Sequence, residues 1–250
     1  MKRSTSIILL IALFFSFSII ANASGIKSSD YLLDPDNYLY PGKVVTFGNY
    51  EQDNNKKNGE EPIEWIVAEV DKDEALLVSL YGLDAIPFHS EYCEISWEKC
   101  DLRSWMNDTF YNKAFSKEEQ KAIERVTLDN NNGYESSTMW RTMRDGPETN
   151  DKVFPLSCKE AEQIFGYKSG YNGFRLTVLR GDGICEPTKY ALSQGAKIDE
   201  NDNGCCYWWM RSVASQTFQA AYVSPLGSEG TLACSTKEIC VRPAILVYLG

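Results

Sequence analysis

Cys205-Cys206-Tyr207-Trp208-Trp209-Met210-Arg211-Ser212 opens the stretch that decides the fold, and Val241-Arg242-Pro243-Ala244-Ile245-Leu246-Val247-Tyr248 closes it. Ala220-Ala221-Tyr222-Val223 lies between them. Apolar and aromatic residues come in short runs broken by Gly, Pro and Ser, which is the pattern of strands. We expect three strands of one sheet. Arg211 and Arg242 sit inside apolar runs. A guanidinium placed there must find acceptors for its fixed fork of donors. Both arginines are therefore expected to be structural, bonded to backbone carbonyls or acids that hold loops over the sheet. Trp208 and Trp209 are neighbours on a strand, so their rings leave opposite faces. Trp209 is read as structural and Trp208 as a candidate stacking platform, since an aromatic face suits the apolar side of a sugar ring.

Upstream of this stretch the chain alternates strands and short helices. Val44 to Phe47, Ile63 to Val70 and Ala75 to Leu80 read as strands, the last two forming a hairpin around Asp71-Lys72-Asp73-Glu74. Residues 51 to 61 read as a polar loop. Asp101 is placed to cap a helix carrying Leu102, Trp105 and Met106. Ser116 with Glu119, and Ser157 with Glu160, have the spacing of capping boxes. Thr188 is a further cap, for a short helix ending near Gly195. Residues 127 to 152 and 170 to 183 read as long irregular loops. The fold class expected is α+β, antiparallel sheets with a few short helices.

The N-terminus has the form of a secretory leader. Lys2 and Arg3 precede an apolar run from Ile7 to Ile20, and Ala21-Asn22-Ala23 supplies a small-x-small cleavage signal. The run is ~14 residues, short of the ~20 that span a bilayer. Residues 1–23 are expected to be removed, leaving 24–250 as a single domain without a stable membrane span. The expected location is outside the cell or in its envelope, periplasmic or extracellular. The formal charge is −10, and loss of Lys2 and Arg3 makes it more negative. Such a chain repels phosphate backbones, which argues against nucleic acid as a partner. The eight cysteines, Cys93, Cys100, Cys158, Cys185, Cys205, Cys206, Cys234 and Cys240, are an even set. In an exported chain that predicts disulfides, with few thiols left to alkylate. Cys93 with Cys100 and Cys234 with Cys240 are the sequence-local possibilities.

Several stretches in this order resemble one bacterial family, the domain of unknown function DUF6273. They are Val45 to Tyr50, Pro62 to Ile66, Leu76 to Leu83, Leu102-Arg103-Ser104-Trp105-Met106-Asn107, Asp151 to Ser157, Trp208 to Ser212 and Val241 to Ala244. Together they reach over residues 40–249. The Trp-Trp-x-Arg-Ser and Val-Arg-Pro stretches are in turn similar to the C-type-lectin-like group, which includes formylglycine-generating-like domains. That resemblance implies a lectin-like domain with long disulfide-stabilised loops. It carries over no catalytic residue. Lectins of that group bind sugar through calcium at Glu-Pro-Asn and Trp-Asn-Asp. This chain has Glu186-Pro187-Thr188 and no Trp-Asn-Asp. No cofactor is expected. Asp199-x-Asn201-x-Asn203-Gly204 does match the first half of a calcium loop, but Met210 stands where the closing glutamate belongs. An ordinary turn is the favoured reading there, with calcium as its rival.

The function expected is an exported, non-catalytic module that binds a glycan or a surface protein. Its ligand surface is assigned to the 127–152 and 170–204 loops rather than to the N-terminal hairpin. Trp140, Tyr171 and Phe174 are its aromatic anchors, because loops on a scaffold are where binding resides. Two other classes stand against it. One is an extracellular enzyme, a hydrolase or a cysteine-dependent one. His89, the one histidine, lies near Cys93, yet no Gly-x-Ser-x-Gly elbow is present. The other is a purely structural surface domain.

Overall fold

The structure is a computed structural model, and it describes residues 39–130, 134–136, 141–144, 146–165, 183–198, 204–214 and 218–249. It is a mixed α+β arrangement with mostly antiparallel sheets and short helices. The first sheet has the order β1 (Val44–Tyr50), β2 (Glu61–Asp71), β3 (Glu74–Ser79) and β13 (Ala244–Tyr248). The β2–β3 hairpin turns on Lys72, which takes the left-handed conformation at φ 52°. Ile63, Trp65 and Val67 alternate inward on β2, and Ala75 to Val78 are buried along β3. The Trp65 indole N–H donates to the Phe47 carbonyl at 2.7 Å, so even this fully buried ring has its polar atom paired.

The second sheet runs β11 (Glu229–Ala233), β10 (Gln219–Val223), β9 (Trp208–Ala214), β12 (Cys240–Val241) and β4 (Asp84–Ala85). The closing stretch therefore holds five strands in two sheets, not three in one. The break is at Arg242-Pro243. Proline has no N–H to continue a ladder. Here the chain leaves β12 and crosses to the first sheet as β13, and the Pro243 carbonyl accepts from Ser79 N at 2.9 Å. The buried side chains of both sheets form one core cluster.

The stretch expected to be irregular also carries strands. β5 (Val126–Leu128) pairs with β8 (Thr149–Asp151), and the hairpin β6 (Tyr134–Ser136) with β7 (Arg141–Arg144) joins β9. These segments are short and polar, so periodicity could not reveal them. Both capping boxes form. Glu119 N donates to Ser116 Oγ at 3.2 Å and Ser116 N to Glu119 Oε2 at 2.7 Å. Glu160 N and Ser157 N make the same exchange at 3.2 and 3.0 Å, opening α4 (Cys158–Phe165). The helix after Ser116, α3 (Glu119–Ala122), is short because Ile123 is already extended, bridging to Val247. α1 (Asp101–Trp105) is capped by the Cys100 sulfur rather than by Asp101. It continues through a π turn at Met106–Phe110 into α2 (Tyr111–Ala114). Asp101 instead accepts from Ser90 N at 2.8 Å.

Two of the quoted motifs meet here. Arg103 Nε donates to Asp151 Oδ1 at 2.8 Å, and the same buried carboxylate accepts from Trp97 Nε1 at 2.9 Å. The Asn107 amide donates to the Val153 carbonyl and accepts from Lys152 N, at 2.9 and 2.8 Å. Asn107 is thus committed to this joint.

Gly48 offers a direct test of the packing. It sits in a bulge of β1 at φ 69°, and its N–H donates to Glu119 Oε1 at 3.0 Å. A Cβ there would lie 2.6 Å from Phe115 Cδ1 and 2.7 Å from the Ala114 carbonyl oxygen. Gly48→Ala should cost at least about 2 kcal/mol from the left-handed backbone and the clash together. Urea melts measure it, and an unchanged midpoint would contradict this packing.

Candidate functional site

Tyr50 ends β1, and the chain then turns through residues 51–60 before returning as β2. Its hydroxyl donates to Asp84 Oδ2 at 2.6 Å, while Asp84 Oδ1 accepts from Ala85 N at 2.8 Å. Both side chains are buried. Burial pushes the Asp84 carboxyl above its ordinary range, although its hydrogen bonds pull the other way. Burial, then the Asp84 charge, push the Tyr50 phenol far above its usual value. At neutral pH this phenol is a donor and cannot serve as a base.

Tyr190, on α5 (Lys189–Ser193), stands edge-on to the Tyr50 ring at 5.9 Å. Thr188 Oγ1 caps α5 by accepting from Ala191 N at 3.0 Å, and Tyr190 N donates to the Gln52 carbonyl at 2.9 Å. The helix is thereby stitched to the hairpin loop. Lys113, from α2, places its ammonium 4.5 Å above the Tyr50 ring and 3.4 Å from Glu60 Oε1. Lys56 lies 6.0 Å from the Tyr190 ring centroid. Together Glu51, Lys56, Gly59, Glu60, Lys113 and Tyr190 line a cavity of about 280 Å³. It offers carboxylate acceptors, ammonium donors and one aromatic ring around a concave surface.

Glu51, Asp53 and Glu61 bring three carboxylates within 4.8 Å of one another beside this cavity, the donor type that suits a hard cation. Each is also an acceptor for the loop's own groups. Glu51 takes Asn55 N at 3.0 Å, and Asp53 takes Asn58 Nδ2 at 2.8 Å and Asn55 N at 2.7 Å. Glu61 takes Gln52 N at 2.7 Å. The Asn58 bond leads in holding the Asp53 carboxyl below its ordinary range. These bonds account for the cluster as a brace of the loop.

Trp140, Tyr171, Phe174, Asp199, Asn201 and Asn203 lie outside the described residues. Trp208 is fully buried and its indole N–H donates to the Gly183 carbonyl at 2.9 Å. Its ring packs against Phe165 and Arg242, so the expected stacking platform is a core residue instead. Trp209 is buried on the other face and donates to the Ile86 carbonyl at 3.0 Å. Arg211 and Arg242 are both buried and bonded on the guanidinium.

All eight cysteines are free thiols here, so the disulfides expected from their even count are not formed in the structure. Cys234 Sγ donates to the carbonyls of Glu91 and Cys93, at 3.3 and 3.6 Å. The Cys206 thiol interacts with those of Cys185 and Cys240. His89 Nδ1 lies 3.1 Å from Asp101 Oδ2. Desolvation, then Cys234, push the Cys93 thiol up, the reverse of what an activated nucleophile needs.

The hairpin loop was not expected to be the ligand surface. The signal that could have found it is the company of Lys56 and Glu60 with the Tyr50 at the strand end. The partners Lys113 and Tyr190 come from distant segments and cannot be read from spacing. Comparison with known families matches residues 72–249 to a family described as a domain of unknown function (DUF6273). No curated protein and no solved structure matches the chain.

Proposed function

Since the chain belongs to the DUF6273 family, whose function is undescribed, its own surface must supply the reading, and we propose an exported, non-catalytic module that binds a glycan. The observation that carries this is the cavity around Tyr190. Sugar hydroxyls both donate and accept, and Glu51 and Glu60 accept while Lys56 and Lys113 donate. The Tyr190 ring supplies an apolar face for the C–H side of a pyranose. The elements that bear these groups are fixed by the α5 cap and the Tyr50–Asp84 bond, which lowers the ordering cost of binding.

Export rests on Lys2, Arg3, the Ile7 to Ile20 run and Ala21-Asn22-Ala23. The location proposed is secreted or cell-envelope, where disulfides persist. The short helices and mostly antiparallel strands support, at a coarse level, a C-type-lectin-like fold. Net charge −10 favours a neutral or basic partner over nucleic acid.

A glycan array, followed by titration of the best binder, tests the site. Tyr190→Ala, with its fold verified by circular dichroism, should weaken binding about tenfold, the equivalent of roughly 1.4 kcal/mol. Glu60→Ala should weaken it as well. A glycan whose affinity survives both changes but is lost in Trp140→Ala would move the site to the 127–152 loop. Loss of binding on chelation would instead bring the Glu51, Asp53, Glu61 or the Asp199, Asn201, Asn203 oxygens into play as calcium ligands.

A further inference from the structure

Cys206 lies at the centre of three buried thiols that the chain brings together from afar. Its backbone N–H donates to the Cys185 carbonyl at 2.7 Å, and Cys240 N donates to the Tyr207 carbonyl at 2.8 Å. The Cys206 thiol interacts with both the Cys185 and the Cys240 thiols. Gly82 confirms the crowding independently. A Cβ on it would stand 2.9 Å from Cys240 Sγ and 3.1 Å from Cys206 Sγ, so both sulfurs press on one face of a residue that has no side chain. All three cysteines are essentially inaccessible in the folded protein. The Arg242 guanidinium is a cation that acts on both the Cys185 and the Cys206 thiols, favouring their charged forms.

We propose that Cys206 is the pivot of a covalent redox site, closing a disulfide with Cys185 or with Cys240, one at a time. This deepens the disulfide part of the reading above. The oxidant is a disulfide of the exchange type, either a small-molecule disulfide or that of a thiol–disulfide oxidoreductase. As a thiolate, one cysteine of the pair attacks a sulfur of that disulfide and expels one thiolate, which takes up the proton released. The second cysteine then displaces the other half and closes the intramolecular bond. Two S–H bonds and one S–S bond become one S–S bond and two S–H bonds. The third thiol stays reduced and can attack Cys206 in turn, moving the bond without net oxidation. Burial pushes the Cys185 and Cys206 thiols well up, so exchange is slow in the folded state and the bond is set while the chain folds. Three soft sulfurs also suit a thiophilic metal. However, among the described residues no three cysteine sulfurs lie within 4.8 Å of one another, which disfavours a shared ion over a shared bond.

The test is disulfide mapping of the purified full chain. It is unfolded with reductant, refolded in a glutathione redox buffer, alkylated under denaturing conditions and digested. Two cross-linked peptides are expected, Cys206–Cys185 and Cys206–Cys240, with the third thiol of each form alkylated. Cys185→Ser should leave only the Cys240 link and Cys240→Ser only the Cys185 link. Cys206→Ser should leave both Cys185 and Cys240 alkylated. If a variant does not fold, the wild-type map decides alone. A Cys185–Cys240 or Cys185–Cys205 link, quantitative alkylation of Cys206 across the buffer series, or a stoichiometric metal released on alkylation would overturn the proposal. Because the buffer supplies the oxidant, pairing is tested apart from export. Chain recovered from cells with all its thiols reduced, yet forming the expected links in the buffer, would remove the export reading and uphold the pivot.

Discussion

Replacing Arg211 by alanine should destabilise the protein by about 3–5 kcal/mol, the cost of leaving a partly buried carboxylate without its partner. The guanidinium forks onto both Glu160 oxygens, with Nη2 to Oε1 at 2.6 Å and Nη1 to Oε2. Nε donates to Asn130 Oδ1 at 3.0 Å and Nη1 also to the Pro155 carbonyl at 3.2 Å. One side chain thus ties β9 to the start of α4, to the second residue after β5 and to the segment after β8. Lysine should not rescue it, since a single ammonium cannot reproduce a planar fork. Desolvation acts to raise the Glu160 carboxyl, but Arg211 and the Ser157 bonds outweigh it and hold the group below the usual range. A carboxyl depressed in the folded state stabilises above its unfolded pKa, and that contribution is lost as pH falls through the folded one. Wild type should therefore lose stability as pH drops below the ordinary glutamate value of about 4.3, and Arg211→Ala should lose much less over the same interval. Denaturant melts at pH 7 and pH 3 measure both effects. A variant within error of wild type at pH 7 would show that the pair contributes nothing.

Arg242→Ala should rank next, at about 2–5 kcal/mol. Nε donates to the Ser79 carbonyl and Nη1 to the Gly183 carbonyl, each at 3.0 Å. The Ser79 carbonyl would lose this donor in a dry interior, at about 1–3 kcal/mol, while the Gly183 carbonyl keeps the Trp208 indole N–H. The guanidinium also lies 4.9 Å from the Phe165 ring and 5.0 Å from that of Trp208. Those contacts go with it. Substitution of an exposed arginine such as Arg125, as a control, should stay within about 0.5 kcal/mol. A loss for Arg242→Ala no larger than for that control, in parallel urea titrations, would refute its role at the junction.

Much of the scaffold could be read from residues. The β2–β3 hairpin was legible because Ile63, Trp65 and Val67 alternate and the Asp71 to Glu74 turn is polar. The capping boxes were legible because their bonds join residues three apart. Arg211 and Arg242 stood out because a cation within an apolar run must be bonded. What escaped was long-range. Nothing at Arg242-Pro243 announced that the chain would change sheets there, since that depends on which edge β13 meets. The thiols misled in the same way. Sequence-local partners seemed natural, yet Cys206 meets residues that a distant turn and β12 deliver. The cavity needed Lys113 and Tyr190, which lie far along the chain from Tyr50. A buried Trp208 could not be told from an exposed one, because adjacent positions on a strand covered on both faces look alike.

The crossing of β13 back to β3 has a kinetic consequence. Ser79 O and Arg242, bonded across that seam, are 163 positions apart. β13, made long after β3, is the strand that gives β3 its outer neighbour. A growing chain emerges at roughly 5–20 residues per second, so this edge stays open for on the order of ten seconds. Loop closure over such a span is also slow, placing the protein among late folders of high contact order. Until the last residues arrive, β3 presents an unpaired apolar edge that invites association with other chains.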